Sequence, residues 1–225
     1  MISTVLFDLD GTILDTNKLM VKSMQFALKK HIGLNVPDDE IHSFFGEPLT
    51  ATISRYTQNE IQSVLDTFRK YDLEHHDLLA NFFPGIKELI SQLHQQGVNI
   101  SIVTSKHRYM ASQCNHLAEL DEYINTIVTY DDVTNVKPDP EPIIKALTQL
   151  DANPSSTIMV GDSPADIQSA KRAGTYSAAV KWSVFPINLI LQEQPDYILN
   201  SPSDLLKVIN LDKRVDTSPM RHYKA

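Results

Sequence analysis

The stretch Ser3-Thr4-Val5-Leu6-Phe7-Asp8-Leu9-Asp10-Gly11-Thr12 joins a short apolar run to an acidic turn that contains glycine. Its first five residues are rich in β-branched and aromatic side chains, which predicts a buried strand. Two acids then stand two residues apart, directly before Gly11. A strand that ends in two acids has to manage their mutual repulsion, and a bound cation does so.

Beyond Pro84-Gly85, segments with strand and helix periodicity alternate. Such alternation predicts βαβ units, so we expect an α/β fold with a Rossmann-like parallel sheet core. The predicted helices cover 86–96, a segment from about residue 106, 140–150 and 164–173. The predicted strands cover 3–7, 98–103, 126–129, 157–160, 177–180 and 197–199.

Between the first strand and this alternating region, residues 17–79 have helical periodicity. We therefore predict an all-helical cap domain at 16–80, inserted into an α/β core domain formed by 1–15 and 81–225. Gly33, Pro37 and Gly46-Glu47-Pro48 should break the helical segment. The polar tail from Asp212 is expected to fray.

The net charge of −8 argues against nucleic acid or an anionic membrane as the main partner. The single cysteine, Cys114, excludes an internal disulfide bond. No window has the roughly 20 apolar residues of a membrane-spanning helix, and we see no signal peptide. We expect a cytoplasmic protein with a small-molecule partner, and the sequence leaves its oligomeric state open.

Polar clusters follow four of the predicted strands, and parallel sheets bind ligands at the carboxyl ends of their strands. In the first cluster, alternate residues Asp8 and Asp10 can serve one reacting atom, one as nucleophile and the other in proton transfer. Gly11 allows the backbone to approach a phosphate closely. A plain turn is the alternative for this cluster.

The second and third clusters suit anion binding. Thr104-Ser105 offers hydroxyl groups at a predicted helix start, although a simple N-cap would look the same. Lys137 precedes Pro138, which favours an extended conformation for the lysine and can direct its ammonium group. A surface lysine in a proline-rich turn is the alternative.

The fourth cluster, Gly161-Asp162-Ser163-Pro164-Ala165-Asp166, places two carboxylates around a predicted helix start. Mg²⁺ is typically held by one or two carboxylates together with water and phosphate oxygens. Acids in a first helical turn also occur simply as partners of the helix dipole. The shared location of the four clusters favours phosphoryl chemistry.

These residues resemble the four motifs of the haloacid-dehalogenase-like phosphatases, over about residues 3–200. The helical segment is similar to the cap of the subgroup that contains phosphoglycolate phosphatase and β-phosphoglucomutase. Residues 130–142, residues 195–197, Trp182 and His75-His76-Asp77 resemble more narrowly a group of bacterial pyrophosphatases. Taken by itself, His75-His76-Asp77 could suggest a metal site, but we expect a solvated helix end or a cap surface.

The resemblance implies a magnesium-dependent hydrolase with an aspartyl-phosphate intermediate. Asp8 would be the nucleophile and a Mg²⁺ ligand. Asp10 would act as general acid and then base, with its backbone carbonyl on the metal. Thr104 and Lys137 would bind the transferring phosphoryl group.

The same resemblance implies that Asp162 ligates Mg²⁺, and that Asp166 does so directly or through water. The predicted cap segment Gly46-Glu47-Pro48 would recognise the leaving group of a small phosphorylated substrate. Pyrophosphate and phosphoglycolate are the first candidates. The family's dehalogenases lack an acid at the position of Asp10, which favours phosphoryl transfer here.

Three other functions stay open at this point. A sugar phosphomutase would use the same core residues with a different cap. A phospho-signalling receiver would also combine acids, a hydroxyl and a lysine, but receivers have an adjacent acidic pair and resemble shorter domains without a cap. A catalytically silent regulatory relative is the third possibility, which the complete motif set disfavours.

Overall fold

The computed structural model describes residues 1–45, 49–112 and 114–211. A six-stranded sheet with the order β5-β4-β1-β6-β7-β8 lies at its centre, and every pair of neighbouring strands in it is parallel. The predicted α/β class with a parallel sheet is therefore confirmed. The sheet strands are β1 (Thr4–Phe7), β4 (Asn99–Val103), β5 (Thr126–Val128), β6 (Thr157–Gly161), β7 (Tyr176–Val180) and β8 (Tyr197–Leu199).

Helices cover both faces of this sheet. They are α5 (Ile86–Gln95), α6 (Arg108–Ser112), α7 (Asn115–Ala118), α8 (Glu141–Leu150), α9 (Pro164–Ala173), α10 (Ile187–Gln192) and α11 (Asp204–Leu211). Strand β1 shows how the layers form, because successive side chains point to opposite faces of a sheet. Val5 and Phe7 pack in a core that includes residues of α5 and α11, whereas Leu6 packs with residues of α8 and α9.

Among the described residues, four helices lie between β2 (Leu14–Asp15) and β3 (Asn81–Phe82), and we call them the helical insert. They are α1 (Asn17–Ile32), α2 (Asp38–His42), α3 (Leu49–Ser54) and α4 (Ile61–Leu79). The insert has an apolar cluster of its own, centred on the packing of α1 against α4. Gly33, with φ of 69°, ends α1 in the left-handed conformation that glycine adopts most easily.

Strands β2 and β3 form a two-stranded antiparallel sheet at the base of the insert. Leu14 pairs with Phe82, and Asp15 pairs with Asn81. Two-residue strands carry no readable alternation, so the sequence analysis missed this element. It links the two chain crossings between the insert and the rest of the molecule.

Two other features differ from the sequence-based expectation. The helix predicted from about residue 106 is two short helices, α6 and α7, and the first of them starts at Arg108. Helices α10 and α11 were not predicted. The tail from Asp212 lies outside the described residues. Among the helices that the structure describes, none is long and apolar enough to cross a membrane.

Candidate active site

The carboxyl ends of three neighbouring strands bring the first, second and fourth polar clusters to one edge of the sheet. Asp8 follows β1, Thr104 follows β4 and Asp162 follows β6, and β1 lies between the other two strands. The Asp8 amide donates to the carbonyl of Val160, which keeps the first turn beyond β1 in register with β6. The parallel topology is what makes these distant segments neighbours.

Lys137, from the third cluster, points into this edge. Its Nζ lies 2.7 Å from Asp8 Oδ1, 2.6 Å from Asp166 Oδ1 and 3.0 Å from the Val103 carbonyl oxygen. The side chain is 5% exposed. Burial alone would lower the pKa of Lys137, but the Asp166 and Asp8 carboxylates outweigh burial and raise it. The ammonium group therefore stays charged beside Asp8.

Three carboxylates converge next to this lysine. One oxygen from each of Asp8, Asp162 and Asp166 lies within 4.8 Å of those of the other two. Burial raises the pKa of Asp8 to about 7; the nearby Lys137 opposes this shift, and the charges of Asp166 and Asp10 add to it. Burial, followed by the Asp8 and Asp166 charges, raises the pKa of Asp162 well above its ordinary value.

Such a cluster fits a hard divalent cation. Buried like charges are costly unless a counter-ion neutralises them, and carboxylate oxygens are the ligands that Mg²⁺ prefers. Two glycines leave room for these carboxylates, because they have no side chain. A Cβ at Gly11 would lie 2.1 Å from Asp162 Oδ2, and one at Gly161 would lie 2.4 Å from the Asp166 side chain.

Asp166 is held by its own helix. Its Oδ2 accepts from the Ser163 amide at 3.1 Å and from the Ser163 hydroxyl at 2.6 Å, forming the capping box of α9. Its Oδ1 accepts from Lys137. Both oxygens are therefore engaged, and Asp166 positions Lys137 in this arrangement.

Asp162 and the turn after β1 are held in place by the loop that follows β7. The Ser183 hydroxyl donates to Asp162 Oδ2 at 2.6 Å. The indole Nε1 of Trp182, which the sequence had singled out, donates to the Thr12 carbonyl at 3.0 Å. This loop therefore holds the Asp162 carboxylate directly. It holds the turn after β1 through the backbone carbonyl of Thr12.

The hydroxyl cluster after β4 is built differently from the expected helix N-terminus. The Thr104 amide donates to the Val128 carbonyl at 2.9 Å, so it is used by the backbone and is not available to an anion. The Thr104 hydroxyl accepts from the Lys106 amide at 3.1 Å. Thr104 is buried and Ser105 is exposed, and α6 begins only at Arg108.

Asp10 has a partner that the sequence analysis missed. Lys106 Nζ lies 3.0 Å from Asp10 Oδ1 and 2.9 Å from Asp10 Oδ2, with the lysine side chain 7% exposed. Burial alone would lower the pKa of Lys106, but the Asp10 and Asp72 charges outweigh burial and raise it. The feature of the sequence that could have identified this partner is the position of Lys106, two residues after Thr104.

Helix α4 supplies two more groups to this region. Asp72 and His76 stand four residues apart, so they share a face of the helix, and both are buried. Burial raises the pKa of Asp72 to about 6, although the Lys106 charge opposes the shift. The expectation that His75-His76-Asp77 forms a solvated helix end or a cap surface is wrong for His76, which is 4% exposed because it lies against the α/β part of the chain.

The remaining predicted site residues, Gly46, Glu47 and Pro48, lie outside the described residues. The structure thus brings together Asp8, Lys137, Asp162 and Asp166. Asp10 lies close enough for its charge to raise the pKa of Asp8. Thr104 lies at the same edge of the sheet.

Relatives of the chain match it in sequence over nearly its whole length. A pyrophosphatase PpaX from Bacillus cereus is 38% identical over 209 residues, which are 93% of this chain and 97% of the relative. A relative from Caldanaerobacter subterraneus subsp. tengcongensis is 42% identical over 208 residues, 92% of this chain and 94% of its own length. These relatives confirm the narrower resemblance that the sequence analysis identified.

A solved structure gives the same result for the fold. A haloacid dehalogenase-like family hydrolase from Streptococcus pneumoniae superposes with a TM-score of 0.82 at 25% identity, covering 92% of this chain and 98% of that one. The sequence profile of the family described as "Haloacid dehalogenase-like hydrolase" matches residues 5–180, which include all four clusters at the edge of the sheet. By its sequence and its fold, the chain belongs to the haloacid dehalogenase-like hydrolases.

Proposed function

We propose that the protein is a magnesium-dependent phosphohydrolase that forms an aspartyl-phosphate on Asp8. The observation that carries this proposal is the position of Lys137, whose ammonium group binds Asp8 Oδ1 and Asp166 Oδ1 within a cluster of three carboxylates. An ammonium group next to a nucleophilic carboxylate favours its ionised form and can also hold a phosphoryl oxygen.

In the first step, a carboxylate oxygen of Asp8 attacks phosphorus in line with the leaving oxygen. The new bond joins Asp8 to phosphorus, and the bond from phosphorus to the leaving oxygen breaks. Asp10 donates a proton to that oxygen. Lys137 and the Thr104 hydroxyl hold the other phosphoryl oxygens, where negative charge lies in the transition state.

In the second step, water attacks the phosphorus of the acyl phosphate. Asp10, which lost its proton in the first step, accepts one from the water, and the bond between phosphorus and Asp8 breaks. Inorganic phosphate leaves, and Asp8 and Asp10 return to their starting states. One carboxyl group thereby serves both proton transfers.

Asp8, Asp162, Asp166 and the backbone carbonyl of Asp10 would hold Mg²⁺, and Asp166 would do so directly or through water. When bound, the ion would neutralise charge on the substrate and on the nucleophile. Without it, the pKa of Asp8, which burial raises to about 7, lets this carboxyl bind a proton near neutral pH.

Pyrophosphate is the proposed first substrate, and small phosphomonoesters such as phosphoglycolate are the alternative. Lys106 supports this choice, because a cation beside the proposed acid Asp10 favours a leaving group that is itself an anion. The names of the PpaX relatives support it independently.

The helical insert would act as a cap that closes over the site during turnover. The proposed hinges lie near residues 15–17 and 82–85, next to the two strands of the β2–β3 sheet. Closure would exclude water and strengthen the electrostatic contacts inside. Gly46, Glu47 and Pro48 stay proposed contacts for the leaving group.

A phosphate-release screen over pyrophosphate, phosphoglycolate and small sugar phosphates, with and without Mg²⁺, tests the function. We expect Mg²⁺-dependent release that Asp8→Asn lowers by about 10⁴-fold or more, since covalent catalytic groups act as a unit. Asp121→Asn, on an exposed turn, is the control. Full activity of Asp8→Asn would reject the mechanism, and turnover of β-glucose 1-phosphate without phosphate release would favour a phosphomutase.

A further inference from the structure

Three potential metal ligands lie together outside the acidic cluster. His76 and Asp77 belong to α4 of the helical insert, and Cys114 lies between α6 and α7 of the α/β part. One ligand atom from each residue lies within 4.8 Å of those of the other two. The group therefore bridges the insert and the α/β part of the chain.

The ring nitrogens of His76 are buried at this position and lack hydrogen-bond partners among the described residues. The residue as a whole is 4% exposed. Its Nδ1 lies 3.6 Å from Asp77 Oδ1, which is too long for a hydrogen bond. Buried polar atoms without a partner are rare in folded proteins, so a missing ligand is the natural explanation.

The distances suit a tetrahedral transition-metal ion. Bonds of about 2.0–2.3 Å to nitrogen, oxygen and sulfur place neighbouring ligands of a four-coordinate zinc about 3.4–3.6 Å apart. The 3.6 Å between His76 Nδ1 and Asp77 Oδ1 already has this value. The limit of 4.8 Å on the remaining pairs requires an inward movement of at most about 1 Å.

We propose that His76, Asp77 and Cys114 form a second metal site, selective for Zn²⁺ or a similar borderline transition-metal ion. Nitrogen, oxygen and sulfur donors suit such ions, whereas Mg²⁺ prefers oxygen alone. Three protein ligands leave the fourth position to water. This proposal is independent of the proposed phosphohydrolase function.

The charges around the site are compatible with a dication. A thiolate and a carboxylate balance its two positive charges, and the imidazole has to be neutral to bind. Burial, followed by the Lys106 charge, lowers the pKa of His76, which favours the neutral ring. Lys106 also acts electrostatically on Cys114.

Lys106 would also repel a metal ion, but two carboxylates offset this repulsion. Asp10 and Asp72 both act on Lys106 and stabilise its charge. The Asp77 side chain is 38% exposed, which gives an ion a route from solvent into an otherwise buried group. A bound ion would hold α4 against the α/β part of the chain, beside the ion pair of Lys106 with Asp10.

Cobalt substitution tests the proposal with a readout that does not depend on activity. Titration of the full chain with Co²⁺ should give one equivalent with a sulfur-to-cobalt charge-transfer band and strong visible bands of tetrahedral geometry, and Zn²⁺ should displace it. Because Cys114 is the only cysteine, any such band reports on this residue. Cys114→Ser should abolish the band.

The variants His76→Gln and Asp77→Asn test the other two ligands. Each should weaken Co²⁺ binding by about 100-fold or more, since even changes outside the ligand set cost 10–100-fold. Two controls should keep the band: Asp162→Asn in the acidic cluster, and His94→Gln on the exposed face of α5. Circular dichroism verifies that each variant is folded.

Two results would overturn the proposal. One is Co²⁺ binding to the wild-type chain without a charge-transfer band, which would place the ion on oxygen and nitrogen ligands elsewhere. The other is a charge-transfer band with unchanged Co²⁺ affinity in folded His76→Gln, which would show that the imidazole is not a ligand.

Discussion

Lys106 donates hydrogen bonds to both carboxylate oxygens of Asp10, at 3.0 Å to Oδ1 and 2.9 Å to Oδ2. Because both oxygens accept from the ammonium group, Asp10 can take up a proton and pass it to a leaving group only after one of these bonds breaks. An anionic leaving group can compete for the ammonium group, whereas a neutral alcohol competes poorly. The charge of the leaving group therefore decides how readily Asp10, the proposed acid, is released from Lys106.

Replacing Lys106 by methionine keeps the length of the side chain and removes its charge. We expect kcat/KM for pyrophosphate to fall about 10²-fold, as for the loss of one transition-state donor, and the value for p-nitrophenyl phosphate to fall far less. Steady-state kinetics with both substrates measure the difference. Lys87→Met, which changes an exposed lysine paired with Glu119, is the control. Equal losses on the two substrates would argue against a role in leaving-group binding.

Gly11 and Gly97 give a matched pair of alanine substitutions. Both have positive φ, 85° and 72°, so each alanine should cost about 1–2 kcal/mol of stability in urea unfolding. Only at Gly11 would the new Cβ collide with Asp162 Oδ2. We expect Gly11→Ala to lose Mg²⁺ affinity and Gly97→Ala to retain it, as measured by calorimetry. Normal Mg²⁺ binding by Gly11→Ala would contradict the packing of Asp162 on this turn.

The affinity for Mg²⁺ should depend on pH. Burial raises the pKa of Asp8 to about 7, so a growing fraction of this carboxyl carries a proton below neutrality. The cation binds the ionised form, and the proton competes with it. We expect affinity to fall by up to about tenfold per pH unit as pH drops below about 7, with proton release detected by calorimetry in two buffers. Constant affinity from about pH 6 to about pH 8 would contradict the raised pKa.

Asp72→Asn should stabilise the protein at neutral pH. Burial raises the pKa of Asp72 from 3.8 to about 6, so the folded state binds its proton more tightly than the unfolded state does. Its contribution to stability is therefore present below about pH 4 and is lost as pH rises to about 6. The shift of about two units sets an upper limit of about 3 kcal/mol.

Urea unfolding at several pH values measures this effect. Above about pH 6 the variant should be more stable than the wild type by about 1–3 kcal/mol, and the difference should disappear below about pH 4. Asp66→Asn, on an exposed position of the same helix, is the control. A destabilised Asp72→Asn protein at neutral pH would mean that the interaction with Lys106 outweighs the cost of burial.

Much of the fold could be predicted because its signals are local. Buried strands of an all-parallel sheet appear as short apolar runs, and their ends are marked by the polar residues that follow them. Asp8, Thr104 and Asp162 were found in this way, and parallel topology predicted that they share one edge of the sheet. The two-residue strands β2 and β3 escaped because a pattern needs more residues than they have.

The sequence by itself therefore determined the α/β class, the helical insert and the residues at the carboxyl ends of the strands. Tertiary structure decided which charges become partners. Lys106 and Asp10 are 96 positions apart, and neither position carries a periodic signal that would pair them. The burial of Asp72 and His76 depends on how α4 packs against the α/β part of the chain. Their altered pKa values follow from that packing, because desolvation depends on what surrounds a group and not on its neighbours in sequence.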